Sequence, residues 1–429
     1  MQMYHGLPII TNKITQEEQN RIPHHLLGFI ALGEEPWRVG LFKKRASQII
    51  QQIRSRGRLP ILVGGTHYYT QSLLIEESLV SEPPVEDEQE PTELTRKEIS
   101  EKFPILDEPT EVVLNRLKEV DPVMANRWHP NDRRKIQRSL EIFLRTGKTA
   151  SNIYMEQTQR KNLAGNTTNS PEEDISESTG ELLSPLVFWV HAESESLKER
   201  LNSRVDKMVQ AGLLEELKSM DSFLHQDTTL GKEVDPSRGI WISIGWKEFE
   251  PYISALRAGT EPMEKLDELL ALSVEKTKAA TRQYAKRQTR WIRLKLLTGL
   301  SSQNLLDRFY LLDGTDLSRW SEAVSNPALD VTADFLAGDE LRAPSSLSDA
   351  AKELLTPRRS YDLSDRRDLW VRHECEICHT VCTSEEQWQG HIKSRAHRRG
   401  LKKQLRSAPI GRSPSQDYRS TPASEEMPC

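Results

Sequence analysis

Leu59-Pro60-Ile61-Leu62-Val63-Gly64-Gly65-Thr66-His67-Tyr68-Tyr69 is the stretch on which the fold turns. A short apolar run that stops at paired glycines suits a strand of a parallel sheet covered on both faces. Before it, Phe42, Ala46, Ile49, Ile50 and Ile53 recur at helical spacing within residues 36–56, and Gly57 ends the pattern. Helix, strand and glycine turn make a piece of a βα alternation. In open α/β sheets ligands bind at the carboxyl ends of strands, which puts Thr66 to Tyr69 at such an edge.

Working outward, a second strand is predicted at Leu186-Val187-Phe188-Trp189-Val190, followed by a helix with Leu197, Leu201, Val205 and Met208 on one face and Gly212 as its stop. Between the two strands, residues 110–146 read as helical. The best element there starts at Asn131 as N-cap, buries Ile136, Leu140, Phe143 and Leu144, and ends at Gly147. Residues 160–182 are polar, acidic and aperiodic, as expected of a disordered insertion. Residues 262–297 read as long helices. The domains expected are an α/β domain over 1–315 with a helical insertion at about 110–180, a linker at 316–370, a finger at 371–400 and a disordered basic tail at 401–429.

Of the 429 residues, 36% are hydrophobic and 29% charged, enough for one good core but not for the whole chain. No run approaches the ~18 apolar residues of a membrane helix, and Met1-Gln2-Met3-Tyr4-His5 lacks the pattern of a signal peptide. A soluble intracellular protein is expected, with no membrane partner. The net charge of −5 hides a segregation. Residues 81–111 carry eleven acids against three bases, whereas 276–293 and 393–406 hold many bases and no acid. Two basic stretches in an acidic protein point to a polyanion as partner.

Cys375-x2-Cys378-x12-His391-x5-His397 offers two thiolates on a turn and two imidazoles on a following helix, the donor set that tetrahedral zinc prefers. Ser384-x-x-Gln387 is a capping box for that helix and Trp388 fills the small core. His373, His379 and Cys382 are spare ligands that the spacing does not need. His24-His25 has no carboxylate partner, and adjacent residues point apart, so metal is not expected there. A closed four-ligand site is structural. In 282–293, Arg282, Lys286, Arg290 and Arg293 share a helical face that can follow phosphates, while Tyr284, Gln288 and Trp291 lie on another and anchor the helix. Arg134 and Arg138, one turn apart near a helix start, can hold an RNA phosphate or a base.

Met1-Gln2-Met3-Tyr4, Ile9-Ile10-Thr11-Asn12-Lys13, Ile22-Pro23-His24-His25-Leu26, Pro60 to Tyr69 and Ala285-Lys286-Arg287-Gln288-x-x-Trp291 together resemble the tRNA dimethylallyltransferase (tRNA isopentenyltransferase) family. Arg134-Lys135-Ile136-Gln137-Arg138-x-Leu140-Glu141, Met208-x-x-x-Gly212-Leu213-Leu214-Glu215-Glu216 and Ile244-Gly245-Trp246-Lys247-Glu248 fall between them in matching order. The finger is similar to that of the eukaryotic branch. The resemblance implies a P-loop NTPase-like parallel sheet with a helical insertion and a small ββα-type zinc finger. It also implies transfer of a dimethylallyl group from its diphosphate to the exocyclic amine of the adenosine 3′ of the anticodon, a base that must be flipped out to react. It places Gln2, Thr11, Lys13 and Thr66 at the substrate and Arg134, Gln137, Arg138, Arg282, Lys286, Arg287, Gln288, Arg290 and Arg293 on tRNA. Zinc in the finger, Mg²⁺ with the diphosphate, a monomer, and a cytoplasmic location with mitochondrial and nuclear pools complete what it implies.

The sequence departs from the family's pattern at its start. The family's glycine-rich loop, Gly-x-Thr-Gly-x-Gly-Lys-Ser/Thr, is not found, and the Asp-Ser pair, whose Asp is the general base, would precede Met1. The sequence reads as N-terminally truncated, with no catalytic base to name. A non-catalytic tRNA-binding protein is the alternative; a small-molecule P-loop kinase is disfavoured by the basic finger.

Overall fold

The computed structural model describes residues 1–75, 96–166, 185–226, 234–357 and 370–407. In chain order the helices and strands used below are α1 Val39–Ser55, α2 His67–Leu74, α3 Arg96–Lys102, α4 Thr110–Val120, α5 Pro122–Arg127, α6 Arg133–Thr146, α7 Ala150–Asn166, β1 Val187–His191, α8 Ser194–Gln210, α9 Leu213–Gln226, α10 Trp246–Ala258, α11 Met263–Trp291, α12 Leu297–Ser302, β2 Phe309–Asp313, α13 Asn326–Ala337, α14 Asp349–Leu354, β3 His373–Glu374, β4 Val381–Cys382, α15 Glu385–Ile392 and α16 Arg395–Ser407. They form two compact units, one of residues 1–97 with 154–365 and the other of 98–153 with 366–429.

In the first unit β1 and β2 pair in parallel from Val187↔Phe309 to His191↔Asp313. Trp189, Phe309 and Leu311 are buried in one cluster with Ile292, Leu296, Leu297, Leu300 and Ala351, so the sheet packs under the helices that follow α11 and under α14. Ile75 enters this cluster beside Gly299, where an added Cβ would push the tip of the Ile75 side chain aside. A second cluster joins Tyr4, Leu7, Ile10 and Ile30 to Leu213, Leu217 and Met220 of α9 and Trp246, Phe249 and Ile253 of α10.

Two expectations change here. Leu59 to Val63 forms no strand and takes part in no β pairing among the described residues, and Ile61 and Val63 are 76% and 86% exposed. An apolar run becomes a buried strand only where a neighbouring strand takes its N–H and C=O groups, and none does so. The stretch expected as a linker also folds. Residues 316–357 include α13 and α14, bury Val324, Val331 and Ala351, and cover β2, whose Tyr310 hydroxyl donates to the Arg342 carbonyl at 2.7 Å. Its weak periodicity reflects short helices, each burying one or two residues.

In the second unit α4 and α6 pack through Val113, Leu117, Ile136 and Leu140, all fully buried. The N-cap of α6 is Asp132, not Asn131: its carboxylate accepts from the Lys135 N–H, and Asn131 is exposed one residue earlier. An ionised cap also favours the positive helix end, which explains the choice. Gly147 ends α6 in the left-handed region, φ 70°. Buried Asp121 accepts from Met124 N and Ser151 N at 3.1 and 2.9 Å, tying α5 to α7. The finger folds as β3, β4 and α15, and α16 continues the helical part to Ser407, where a disordered tail was expected from 401. Residues 160–166, expected to begin a disordered insertion at 160–182, continue α7 to Asn166, since helical backbone bonding does not require an apolar stripe; the remainder of that insertion, the tail from 408 onward and residues 81–95 of the acidic run lie outside the described residues.

Because Ile61 and Val63 contribute apolar surface to solvent and little to the core, Val63→Lys should leave urea stability within about 0.5 kcal/mol and raise the concentration at which light scattering detects association. A stability loss of several kcal/mol would mean that the run is buried after all.

Candidate functional site

Residues 1–30 fold into a knot of backbone bonds. Phe29 and Ile30 donate to the Met3 carbonyl, His5 donates to Ile30, and Tyr4 and Ile30 form a parallel bridge. Within it Gln2 Nε2 donates to the Asn12 carbonyl at 2.7 Å, Thr11 Oγ1 to Leu7 at 2.5 Å, and Lys13 Nζ to Tyr4 at 2.5 Å. Thr11 is buried, so its hydroxyl supports the loop, whereas Gln2 is exposed and Lys13 half-buried. Burial holds the Lys13 ammonium below its usual range, and the Glu216 carboxylate pulls the other way.

Two motifs far from it in the chain converge on this loop. Glu216 accepts from the Ile9 and Ile10 N–H groups, one on each carboxylate oxygen, both at 2.8 Å. Gly245, at φ 107°, lies where a Cβ would stand 3.2 Å from Ile10, and Glu248 reaches back to the Gly245 N–H at 2.8 Å. Gly212, at φ 104°, lies against Ile9 at ordinary contact distance.

Helix α11 is used on two faces. Inward, Tyr284 OH meets Thr66 Oγ1 at 2.8 Å, Gln288 Oε1 accepts from His67 N at 3.0 Å, and Trp291 Nε1 donates to Gln71 Oε1 at 2.6 Å. The anchoring residues expected from spacing therefore hold the turn after Gly65, and Gln288, also expected on tRNA, spends its oxygen there. Outward, Lys286, Arg287 and Arg290 are exposed. The expected four-cation face is shorter than its spacing implied. Arg282 donates to Asn202 of α8. Arg293 falls in the π-helical turn Ile292–Leu296, is half-buried, and its charge helps depress the imidazole of His191 at the end of β1, where burial is the main cause. A wider turn rotates the following residues off the 3.6-residue stripe.

Helix α8 carries a group that the sequence reading passed over. Glu199, Arg200, Ser203, Arg204 and Lys207 line an open concavity of about 440 Å³. Arg200 is committed to the Gly314 carbonyl at 2.7 Å and to Thr315, while burial lowers the Arg204 guanidinium from its ordinary value. The signal was a basic stripe at 200, 204 and 207, at helical spacing, beside the apolar stripe.

In α6 the three residues matched to tRNA contacts differ. Arg134 is exposed; Gln137 Nε2 donates to the Leu106 carbonyl at 3.1 Å; Arg138 pairs with buried Glu141 at 2.9 Å, which Arg145 also approaches at 3.4 Å. Arg133, not singled out from sequence, clamps the Leu106 and Glu108 carbonyls at 3.0 and 2.6 Å.

In the finger, Cys375 Sγ, Cys378 Sγ, His391 Nε2 and His397 Nδ1 lie within 4.8 Å of one another. The S···S separation is 3.4 Å, S···N separations are 3.2, 3.4 and 3.8 Å, and N···N is 3.2 Å. Zinc bonds of about 2.3 Å to sulfur and 2.0–2.1 Å to nitrogen give tetrahedral edges of about 3.3–3.8 Å, so the donors fit zinc. The spare residues have other places. His373 stacks on Trp388, which stacks on His391, and His379 occupies the positive-φ position of the turn. Ser384 caps α15, and Gln387 reaches back one residue further than a capping box requires, to Thr383 N. The long gap between the histidines is a helix break: Ser394 accepts from His397 N and starts α16. His24 Nδ1 bonds the Ile22 carbonyl.

A family model described as IPP transferase matches residues 2–295, and one described as a zinc-finger of C2H2 type matches 373–397. The chain is 34% identical over 407 residues to the tRNA dimethylallyltransferase of Homo sapiens, covering 95% of this chain and 80% of that protein. To that of Schizosaccharomyces pombe it is 36% identical over 426 residues, 95% and 89% covered. A solved structure described as a eukaryotic dimethylallyltransferase acting on tRNA superposes with a TM-score of 0.68 at 30% identity, over 95% of this chain and 89% of that one.

Because a finger of this size folds through its metal, Cys375→Ser or His391→Ala should abolish binding of one equivalent of zinc and unfold residues 373–398, leaving the melting of the first unit unchanged. Zinc counted by mass spectrometry under native conditions, with exchange of finger amides, checks both.

Proposed function

Because the chain belongs to the tRNA dimethylallyltransferase (IPP transferase) family, we propose that it transfers a dimethylallyl group from dimethylallyl diphosphate to the exocyclic amine of the adenosine 3′ of the anticodon in tRNA. The observation that carries this reading is the double use of α11, with Lys286, Arg287 and Arg290 outward and Tyr284 and Gln288 on the turn at Thr66. Cations at helical spacing neutralise successive phosphates, and the same rigid element then fixes the polar turn beside which the reaction is read to occur.

In the reaction the amine nitrogen bonds to the allylic carbon, the carbon–oxygen bond to diphosphate breaks, and the amine loses a proton. Charge grows on the departing diphosphate, so the step needs donors and cations already in place there. Arg204 and Lys207 on the concave side of α8 and Lys13 beside Tyr4 are suited to that task. Gln2 and Thr66, both exposed, are read as contacts to the tRNA, and Arg134 with Arg138 as contacts around the flipped base. No residue is assigned as the base. The finger adds affinity through Lys393, Arg395, Arg398 and Arg399 on backbone phosphates, without base choice.

Mg²⁺ is proposed as the companion of the diphosphate. Mg²⁺ takes oxygen ligands, so diphosphate oxygens and water would fill most of its shell, and the thiol and imidazole donors of Cys375, Cys378, His391 and His397 do not suit it. A monomer is proposed, resident in the cytoplasm with mitochondrial and nuclear pools. Among the described residues no helix is long and apolar enough to cross a membrane.

Incubation with dimethylallyl diphosphate and an anticodon stem-loop should give RNA heavier by one five-carbon unit, on the adenosine 3′ of the anticodon. Tight RNA binding with no product would instead favour the binding-protein alternative. Lys286→Ala with Arg290→Ala should weaken stem-loop binding and reduce the slope of log affinity against log salt by about 1–2 units in filter binding. An unchanged slope would make the outward cations a solvated face.

A further inference from the structure

Thr66 is the N-cap residue of α2, yet its side chain makes no cap bond. Threonine at this position ordinarily accepts from the second or third N–H of its own helix, which satisfies one of the four donors left open at a helix start. Here its hydroxyl turns to Tyr284 OH at 2.8 Å, and the first open donor, His67 N–H, is satisfied by Gln288 Oε1 at 3.0 Å from another helix. Trp291 adds a third tie to the same segment, at Gln71. Tyr284, Gln288 and Trp291 stand four and seven residues along one face of α11, so a single rigid helix sets all three bonds. A threonyl hydroxyl carries one donor and two acceptor sites. One contact to Tyr284 leaves capacity for another, and Thr66 is exposed.

We infer that Tyr284 and Gln288 are positioning residues: Tyr284 holds the Thr66 hydroxyl away from its own helix, Gln288 fixes the first N–H of α2, and together they keep that hydroxyl presented to the RNA. This rests on the reading that Thr66 meets tRNA. Without Gln288 the first turn of α2 loses a tie to α11 and with it the setting of the Thr66–Tyr284 bond, so the hydroxyl is lost to the ligand although the residue is intact. Of the two donors a threonine cap would take, the Tyr69 N–H goes instead to the Thr66 carbonyl at 2.9 Å.

The test is a double-mutant cycle on anticodon stem-loop affinity, read beside amide exchange at His67 in the full chain. Thr66→Val should weaken binding about tenfold, the loss of one hydrogen bond to a charged group, and Thr66→Ser should not. Gln288→Leu should weaken it to a similar extent and speed exchange of the His67 amide about tenfold, with the salt slope unchanged because no cation is lost. The double variant should be no worse than either single one. Additive losses, or a Gln288→Leu protein that binds as wild type while its His67 amide is deprotected, would overturn the inference. Tyr284→Phe gives a second route should Gln288→Leu fail to fold: it too should weaken binding, and normal binding would count against the inference. If the wild-type chain does not bind the stem-loop, the tRNA reading fails instead. In that case an unprotected His67 amide in the wild type overturns the positioning role on its own, and loss of protection in Gln288→Leu upholds it.

Discussion

The carboxylate of Glu216, shared between the N–H groups of Ile9 and Ile10, is the tie on which the first unit depends. It spans more than two hundred residues and satisfies two backbone donors of a loop whose β pairing, among the described residues, is one isolated bridge. A charged acceptor held by two N–H groups is worth more than a neutral bond, and it cannot be replaced by water without releasing the loop. Around it the glycine at 245 leaves room for Ile10 of that loop, and both Gly212 and Gly245 take a positive φ, at 104° and 107°, that favours glycine. Packing follows from the tie: once Ile10 is seated, Leu7 and Tyr4 are carried into the cluster with Leu213 and Trp246. Function follows in turn, because Gln2, Thr11 and Lys13 belong to the seated loop.

The charged surface is arranged by a different rule. Some cations spend their hydrogen bonds within the chain and others stay exposed to solvent. Arg133, Arg200 and Arg282 belong to the first kind, and Lys286, Arg287, Arg290 and Arg134 to the second. Lys13 and Arg138 combine the two: each is held within the chain, by the Tyr4 carbonyl and by Glu141, and each keeps part of its surface in solvent, where the proposed ligands would meet it.

How much of this was legible in the sequence depended on whether the deciding partner was near in the chain. The zinc donors, the cap at Ser384, the stop at Gly147 and the anchoring face of α11 are set by spacings of a few residues, and reading them needed only periodicity and ligand chemistry. The family's motifs were legible as strings, but not the reason for them: nothing in Gly212-Leu213-Leu214-Glu215-Glu216 says that its last carboxylate caps residues 9 and 10. Leu59 to Val63 failed because a strand is a relation between two segments, and an apolar run supplies only one. Arg293 failed because one π-helical turn breaks a period that spacing assumes to be uniform. The acid at 132 in place of the amide at 131 was a choice between adjacent good caps, at the limit of what local chemistry resolves.

The helix break at Ser394 has a consequence for how charge is laid out in space. His397 is both a metal donor and the third residue of α16, so the metal fixes the first turn of a segment carrying Arg395, Arg398, Arg399, Lys402 and Lys403. In the helix these residues advance about 1.5 Å each, and in an extended chain about 3.3 Å. Removing the metal would therefore roughly halve the linear charge density of the finger's far end while changing no charge at all.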